Sequence, residues 1–409
     1  MTGFRAIEGK SMPLASDRGR ARSRILTLLA RETSSGALVP EIDGLRFLAI
    51  LAVVLFHMWG NFQHHAAGIV AIPNWFAVPG HMLGNGFYGV QLFFVISGFV
   101  LGLPFARQHL RKGRPVSLAA YFKRRLFRLE PPYLINLCLL FVLSALILGR
   151  IDPAKTYGNL LASMAYVHNV IYGDGSRINY VAWSLEIEVQ FYILAPLLAR
   201  VFRIGDIRAR RALLLIAIVT ATVVSTFVID ARMPWKLTIC DNLQFFLTGF
   251  LLADLYLTSW DAAPNRPLLV DAGAIVAVAV LGLGLASYAH IFQLLLPAIM
   301  FVIVYSAFRG EFCRRMFGNP WIYTIGGMCY TIYLYHFFVV GFLGHGRLLW
   351  SSLFIIDLLL QTSLTLIAVL VSSAVLFVLF EKPFMRRDWP RVLSHKVDGV
   401  VQCLRWYRD

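Results

Sequence analysis

Charge is scarce in this chain. Only 15% of its 409 residues are Asp, Glu, Lys or Arg, where a soluble globular protein carries about a quarter. With 58% hydrophobic content, a water-soluble domain is excluded. Acidic residues are the scarcer sign, 22 against 38 basic ones, which rules out an acidic, solvating chain. Cysteine is rare as well. Cys138, Cys240, Cys313, Cys329 and Cys403 form no CxxC pair and no metal-ligand spacing, so neither a disulfide framework nor a metal site is expected. No internal repeat is visible, which argues against a transporter built from two inverted halves.

What the chain has instead is long apolar runs. They recur at about 45–60, 86–105, 131–149, 181–202, 212–229, 241–258, 267–287, 290–308, 321–343 and 352–380, each long enough to cross a bilayer. The predicted fold is an all-α, polytopic membrane helix bundle of about ten transmembrane helices. The stretch "YGNLLASMAYVHNVIYG" (157–173) reads either as one more span or as a short re-entrant piece.

Lysine and arginine orient the bundle. With the N-terminus inside, 32 of the 38 basic residues fall in inside segments; Arg150, Lys155, Arg177, Arg232, Lys236 and Arg347 fall outside. The expected topology is N-in and C-in. The net charge of +16 then reflects an anionic inner leaflet and an anionic ligand on that side, rather than nucleic acid. Three regions follow: a basic cytoplasmic segment 1–40, a membrane domain 41–385 and a basic cytoplasmic tail 386–409. The leader carries "SDRGRARSRI" in place of an apolar core, so a flexible or interfacial arm is expected instead of a signal peptide.

Ionisable residues inside spans are costly and mark function by default. His57 lies eleven residues past Arg46, about 16 Å along a helix, in the outer half of the first span. Glu188, in "WSLEIEVQFY" (183–192), and His336, in "YTIYLYH" (330–336), reach a similar depth from two other spans. Taken singly, each histidine also reads as a packing residue bonded to a backbone carbonyl. A buried carboxylate such as Glu188 needs a partner. Glu186 points to another face of its helix and is expected to be wet or paired near the outer rim.

A second cluster is basic. "YFKRRLFRLEPPY" (121–133) places Arg125 and Arg128 three residues apart, on one face of an interfacial helix expected to stop at Pro131. Two guanidiniums on one face suit a phosphate clamp; the plainer reading is a positive-inside anchor. Glu381, in "FEKPF" (380–384), is a candidate ion-pair partner for one of them.

Six pieces together, "DGLRFLAILAVVLFH" (43–57), "GVQLFFVISGFVLG" (89–102), "KRRLFRLEPPY" (123–133), "WSLEIEVQFY", "YTIYLYH" and "FEKPF", resemble the membrane-bound acyltransferase 3 family, the O-antigen acetylase type, over about residues 41–385. The resemblance puts the family's basic residue–ten residues–histidine motif on Arg46 and His57. It puts RxxR on Arg125 and Arg128, and WSL-x-x-E on Trp183, Ser184 and Glu188. Gln91 stands where many members carry Asp.

The resemblance implies a multi-pass protein of the bacterial inner membrane. It implies acyl-CoA, commonly acetyl-CoA, as donor, with Arg46, Arg125 and Arg128 as donor-binding residues. His57, Glu188 and His336 are the catalytic candidates, with His57 as base and Glu188 orienting it. The acceptor it implies is a hydroxyl of a cell-surface or lipid-linked carbohydrate. Further partners are the lipid bilayer, glycan-assembly proteins and, for an extracytoplasmic esterase-like domain of the kind many members carry, a separate protein. The rival from the residues alone is a proton-coupled transporter or glycan exporter, for which a phosphate clamp is not required.

Overall fold

The computed structural model describes residues 20–32, 38–66, 72–229, 234–260, 264–284, 289–345, 353–385 and 389. Among these, every regular element is helical. The first half of the chain forms α1 (Arg20–Leu29), α2 (Pro40–Ala66), α3 (Ala77–Gly84), α4 (Gly89–Leu110), α5 (Leu118–Phe141), α6 (Pro153–Met164), α7 (His168–Tyr172) and α8 (Trp183–Leu198). The second half forms α9 (Ile207–Phe227), α10 (Ile239–Thr258), α11 (Pro267–Leu283), α12 (Ala289–Arg309), α13 (Glu311–Phe317), α14 (Pro320–Gly327), α15 (Cys329–His345) and α16 (Phe354–Leu376).

Local sequence explains many of the starts. Ser117 Oγ accepts from the Ala120 N–H at the head of α5 (3.3 Å), and Asp206 Oδ1 from the Arg208 N–H at the head of α9 (3.0 Å). Asn319 caps α14 through the Trp321 N–H (3.0 Å), with Pro320 at the first helical position. These are the residue types that satisfy orphan N–H groups at helix starts.

By length and apolarity, six described helical runs can cross a membrane: Pro40–His65, Asn74–Leu110, Leu118–Ile147, Tyr180–Arg203, Ala289–Arg309 and Phe354–Met385. The pair α14–α15, bent by 71°, makes a seventh when counted as one span. Each of the ten apolar runs read from the sequence falls on a helix or on this pair, but α9, α10 and α11 lie outside that set. The stretch 157–173 resolves into the short helices α6 and α7.

One expectation is corrected here. The basic helix does not stop at Pro131: α5 runs through Pro131 and Pro132 without a break. Prolines persist in membrane helices where neighbours re-satisfy the backbone. The carbonyls left without a helical donor here are those of Phe127 and Arg128, and the Tyr330 hydroxyl donates to the next one, Leu129 (2.9 Å). Of the N-terminal segment, residues 20–32 are described. Its α1 packs on α14, and Lys382 Nζ donates to the carbonyls of Thr27 (3.1 Å) and Leu28 (2.6 Å). The tail 386–409 lies outside the described residues except Trp389, whose ring meets Phe127 and Phe384.

The most extensive helix pairing among the described residues is that of α4 with α10. A Cβ on Gly98 would sit 2.2 Å from the Phe246 carbonyl oxygen, and one on Gly249 2.3 Å from that of Val95. Only glycine allows this approach, the means by which apolar helices associate without a hydrophobic driving force. Phe246 stacks between Phe94 (ring centroids 4.8 Å) and Phe191 (4.0 Å), joining α4, α8 and α10. At one end of the bundle, the buried Arg210 donates through Nε to Asp254, which also receives Arg211 Nε at 2.9 Å.

The break between α14 and α15 falls in "IGGMC" (325–329) and positions the site. Gly326 lies so close to α2 that a Cβ would overlap the Asp43 carbonyl oxygen, at 1.7 Å. The bend turns Gly327, Cys329, Tyr330 and Tyr333 toward a cavity between α2, α4, α5 and α8.

Candidate active site

Two sites sit on α2, about 16 Å apart along its axis. The first surrounds Arg46. The cavity holds about 970 Å³ of atom-free space, its mouth included, and Arg46, Arg125 and Arg128 all line it. Arg46 Nη1 is fixed by Asp43 Oδ1 at 2.7 Å. Arg125 lies over the Tyr121 ring, 5.7 Å from its centroid, and its buried Nε has no hydrogen-bond partner. An orphaned buried guanidinium N–H is costly and suits an anionic acceptor that enters the cavity. Arginine's planar fork favours phosphate or carboxylate. The three predicted arginines therefore do converge.

Glu188 lines the same cavity. Ser97 Oγ and Tyr192 OH both donate to its Oε1, each at 2.6 Å, and no described donor reaches Oε2. Tyr192 is four residues on, so one helix face supplies both groups. Glu188 makes no hydrogen bond to His57; the shared depth read from the sequence does not bring those two together.

The second site surrounds His57, and here His336 does meet it. His336 Nδ1 faces the carbonyls of Ile332 and Tyr333, both at 2.9 Å. A carbonyl only accepts, so His336 carries its proton on Nδ1 and its Nε2 is bare. That Nε2 lies 3.2 Å from His57 Nδ1, which also faces the Val53 carbonyl at 3.0 Å. Both neighbours of His57 Nδ1 are acceptors, so Nδ1 is the protonated nitrogen of His57. The lone pair of His57 is left on Nε2, the form a general base needs.

His336 is fully buried; His57 is partly exposed between the ring edges of Phe56 (4.9 Å) and Phe337 (5.0 Å). Tyr333 joins the two sites. It lines the arginine cavity, its hydroxyl lies 3.0 Å from Ser184 Oγ, and its carbonyl receives the His336 N–H.

Other sequence candidates have plainer surroundings. Glu186 is buried, not wet, and accepts the Asn169 N–H at 2.8 Å. Glu381 accepts from the Thr331 N–H (3.1 Å) and hydroxyl, with no ion pair to Arg125 or Arg128 among the described residues. Gln91 Oε1 is buried without a partner. Among the described residues, no three His, Cys, Asp or Glu side chains cluster as metal ligands would. Sequence reasoning missed Ser97, Tyr192 and Tyr333. All three lay in the quoted motifs: Tyr192 at i+4 from Glu188, Ser97 nine residues into "GVQLFFVISGFVLG" and Tyr333 four residues into "YTIYLYH".

Comparison with known proteins matches residues 39–380 to the family described as an acyltransferase domain. A Staphylococcus aureus (strain COL) protein named "Putative O-acetyltransferase" is 24% identical over 403 residues, covering 90% of this chain and 60% of its own length. O-acetyltransferase OatA of S. aureus (strain NCTC 8325 / PS 47) is 23% identical over 337 residues, covering 74% of this chain and 51% of its own. The chain thus spans about half to three-fifths of the length of these relatives. No solved structure matches.

Proposed function

The chain belongs to the acyltransferase family, and from that premise we propose that it is a multi-pass O-acetyltransferase of the bacterial inner membrane. It moves an acetyl group from cytoplasmic acetyl-CoA to a hydroxyl of a cell-surface or lipid-linked carbohydrate. The relatives' names support the acetyl group and the oxygen acceptor. One observation carries the reading: α2 holds both ends of the chemistry, Arg46 in the arginine cavity and His57 with its bare Nε2 about 16 Å along the helix.

Arg46, Arg125 and Arg128 bind the donor's phosphates, with the N-terminus and the arginine end of the bundle on the cytoplasmic side. The pantetheine arm extends along α2 past Glu188, whose Oε2 accepts from an N–H or O–H of that arm. At its far end, His57 Nε2 takes the proton of the acceptor hydroxyl as the oxygen attacks the thioester carbonyl carbon. The C–S bond then breaks, the ester forms, and the imidazolium returns its proton to the leaving thiolate. His336 Nε2 and the Val53 carbonyl hold the His57 Nδ1–H throughout and stabilise the transient positive charge. The transfer is direct.

The test of the donor site is acetyl-CoA binding to purified protein in detergent. Arg125→Ala and Arg128→Ala should each weaken binding by about tenfold or more, the loss of a charge-assisted contact of about 1.5–3 kcal/mol. Lysine at either position should rescue only part of it. If all variants bind like the wild type over a range of salt, the phosphates are not held here and the reading fails.

A further inference from the structure

The segment matched to the family begins at residue 39, and the residues before it lie outside that match. Among the described side chains before residue 39, Arg31 packs against the site. The route is built locally. The last-turn carbonyls of α1 have no intrahelical partner, and Lys382 satisfies those of Thr27 and Leu28 while placing a cation at the negative end of the helix dipole. The chain then lays the Arg31 stem across Gly327, where a Cβ would meet Arg31 Cδ at 3.5 Å and its Cβ and Cγ at 3.6 Å. Gly327 is part of the cavity wall.

Arg31 Nη1 stands 3.1 Å from Asp43 Oδ1, the same oxygen that takes Arg46 Nη1 at 2.7 Å. Asp43 is buried and already paired with Arg46, so a second arginine on one oxygen exceeds what neutralising it requires. The Arg31 side chain is only 15% exposed, and its buried Nε has no partner. Burial, followed by the like charges of Arg46 and Arg128, lowers its pKa to about 9. Three guanidiniums thus line the cavity and a fourth, Arg31, lies behind its Gly327 wall; Arg31 and Arg125 each carry an orphaned Nε. An added anion bearing several negative charges would relieve both the repulsion and the missing acceptors.

We propose that Arg31 is a fourth arginine of the phosphate site, and that the arm Arg20–Arg31 is a strap which a phosphate-rich donor holds against the cavity. This rests on the reading that the cavity takes a CoA thioester, and adds to it a ligand residue outside the family segment. With its diphosphate and 3′-phosphate, CoA has enough charge for four arginines. A donor lacking the 3′-phosphate gains less from the fourth.

The experiment uses the full chain in detergent, with acetyl-CoA and 3′-dephospho-acetyl-CoA as probes. Calorimetric titration compares wild type, Arg31→Ala and Arg31→Lys, with Arg125→Ala as reference. Hydrogen–deuterium exchange of the wild type follows residues 20–31 with and without acetyl-CoA. Arg31→Ala should raise the acetyl-CoA Kd about tenfold and narrow the gap between the two probes. Arg31→Lys, which keeps an ion pair to Asp43, should fall between. Residues 20–31 should exchange more slowly when acetyl-CoA is bound.

Wild-type affinity in Arg31→Lys would reduce Arg31 to a partner of Asp43 and overturn its role as a ligand. Unchanged exchange at 20–31 in wild type overturns the strap, whether or not the Arg31 variants fold. If Arg125→Ala weakens binding while Arg31→Ala does not, this inference fails and the donor site stands. If neither does, the donor site itself fails.

Discussion

His336 Nε2 and His57 Nδ1 lie 3.2 Å apart across a sequence separation of 279 residues. Because His336 spends its own proton on the carbonyls of its preceding turn, it meets His57 as an acceptor. One histidine thus sets the tautomer of the other, the part that a carboxylate plays in a serine-protease triad.

His57→Ala should leave the protein in the membrane and lower acetyl transfer by about 10²–10⁴-fold, the contribution of a positioned general base. Mass spectrometry of envelope glycans, with immunoblots of membrane fractions, checks this. Near-normal acetylation in a well-expressed variant would refute the base assignment.

His336→Ala should cost less than His57→Ala. The Val53 carbonyl still orients the Nδ1–H, and only one acceptor for the imidazolium is lost. A hydrogen bond to a charged group contributes about 1.5–3 kcal/mol, so kcat should fall roughly ten- to a hundredfold with donor KM nearly unchanged. A loss equal to that of His57→Ala would make His336 a partner in the chemistry itself.

Glu188→Gln should separate the two sites. The glutamate touches Ser97 and Tyr192, not His57, so the variant should raise donor KM several-fold while kcat changes little. Steady-state kinetics at saturating acceptor decide the matter. A collapse of kcat at constant KM would return Glu188 to the orienting role that the family resemblance implies.

Asp254→Ala removes the acid that holds both Arg210 and Arg211. An uncompensated buried charge costs about 3–5 kcal/mol, so the thermal midpoint in detergent should drop by several degrees. Acetyl-CoA affinity of the folded fraction should stay at the wild-type value. A weakened donor in stable protein would implicate the 207–211 arginines in phosphate binding.

The sequence by itself determined the helical class and the rows of side chains. Apolar run length decides what can cross a bilayer, and helical periodicity places Arg125 with Arg128 and Glu188 with Tyr192 on shared faces. It also put Arg46 and His57 on one helix at a distance counted from the rise per residue. It misjudged the prolines of α5, because whether proline breaks a membrane helix depends on neighbours that are distant in sequence.

Only the tertiary structure decided which groups of similar depth actually meet. Depth is a one-dimensional quantity, legible from residue counts; the angle around each helix axis and the identity of its neighbour are not. The glycine-lined crossing of α4 and α10 and the bend at Gly327 set those angles. They bring His336 to His57, send Glu188 to Ser97 and the cavity that the arginines line, and lay Arg31 against Gly327. Backbone approach of that closeness is fixed by packing across the whole bundle, and no local stretch of the chain encodes it.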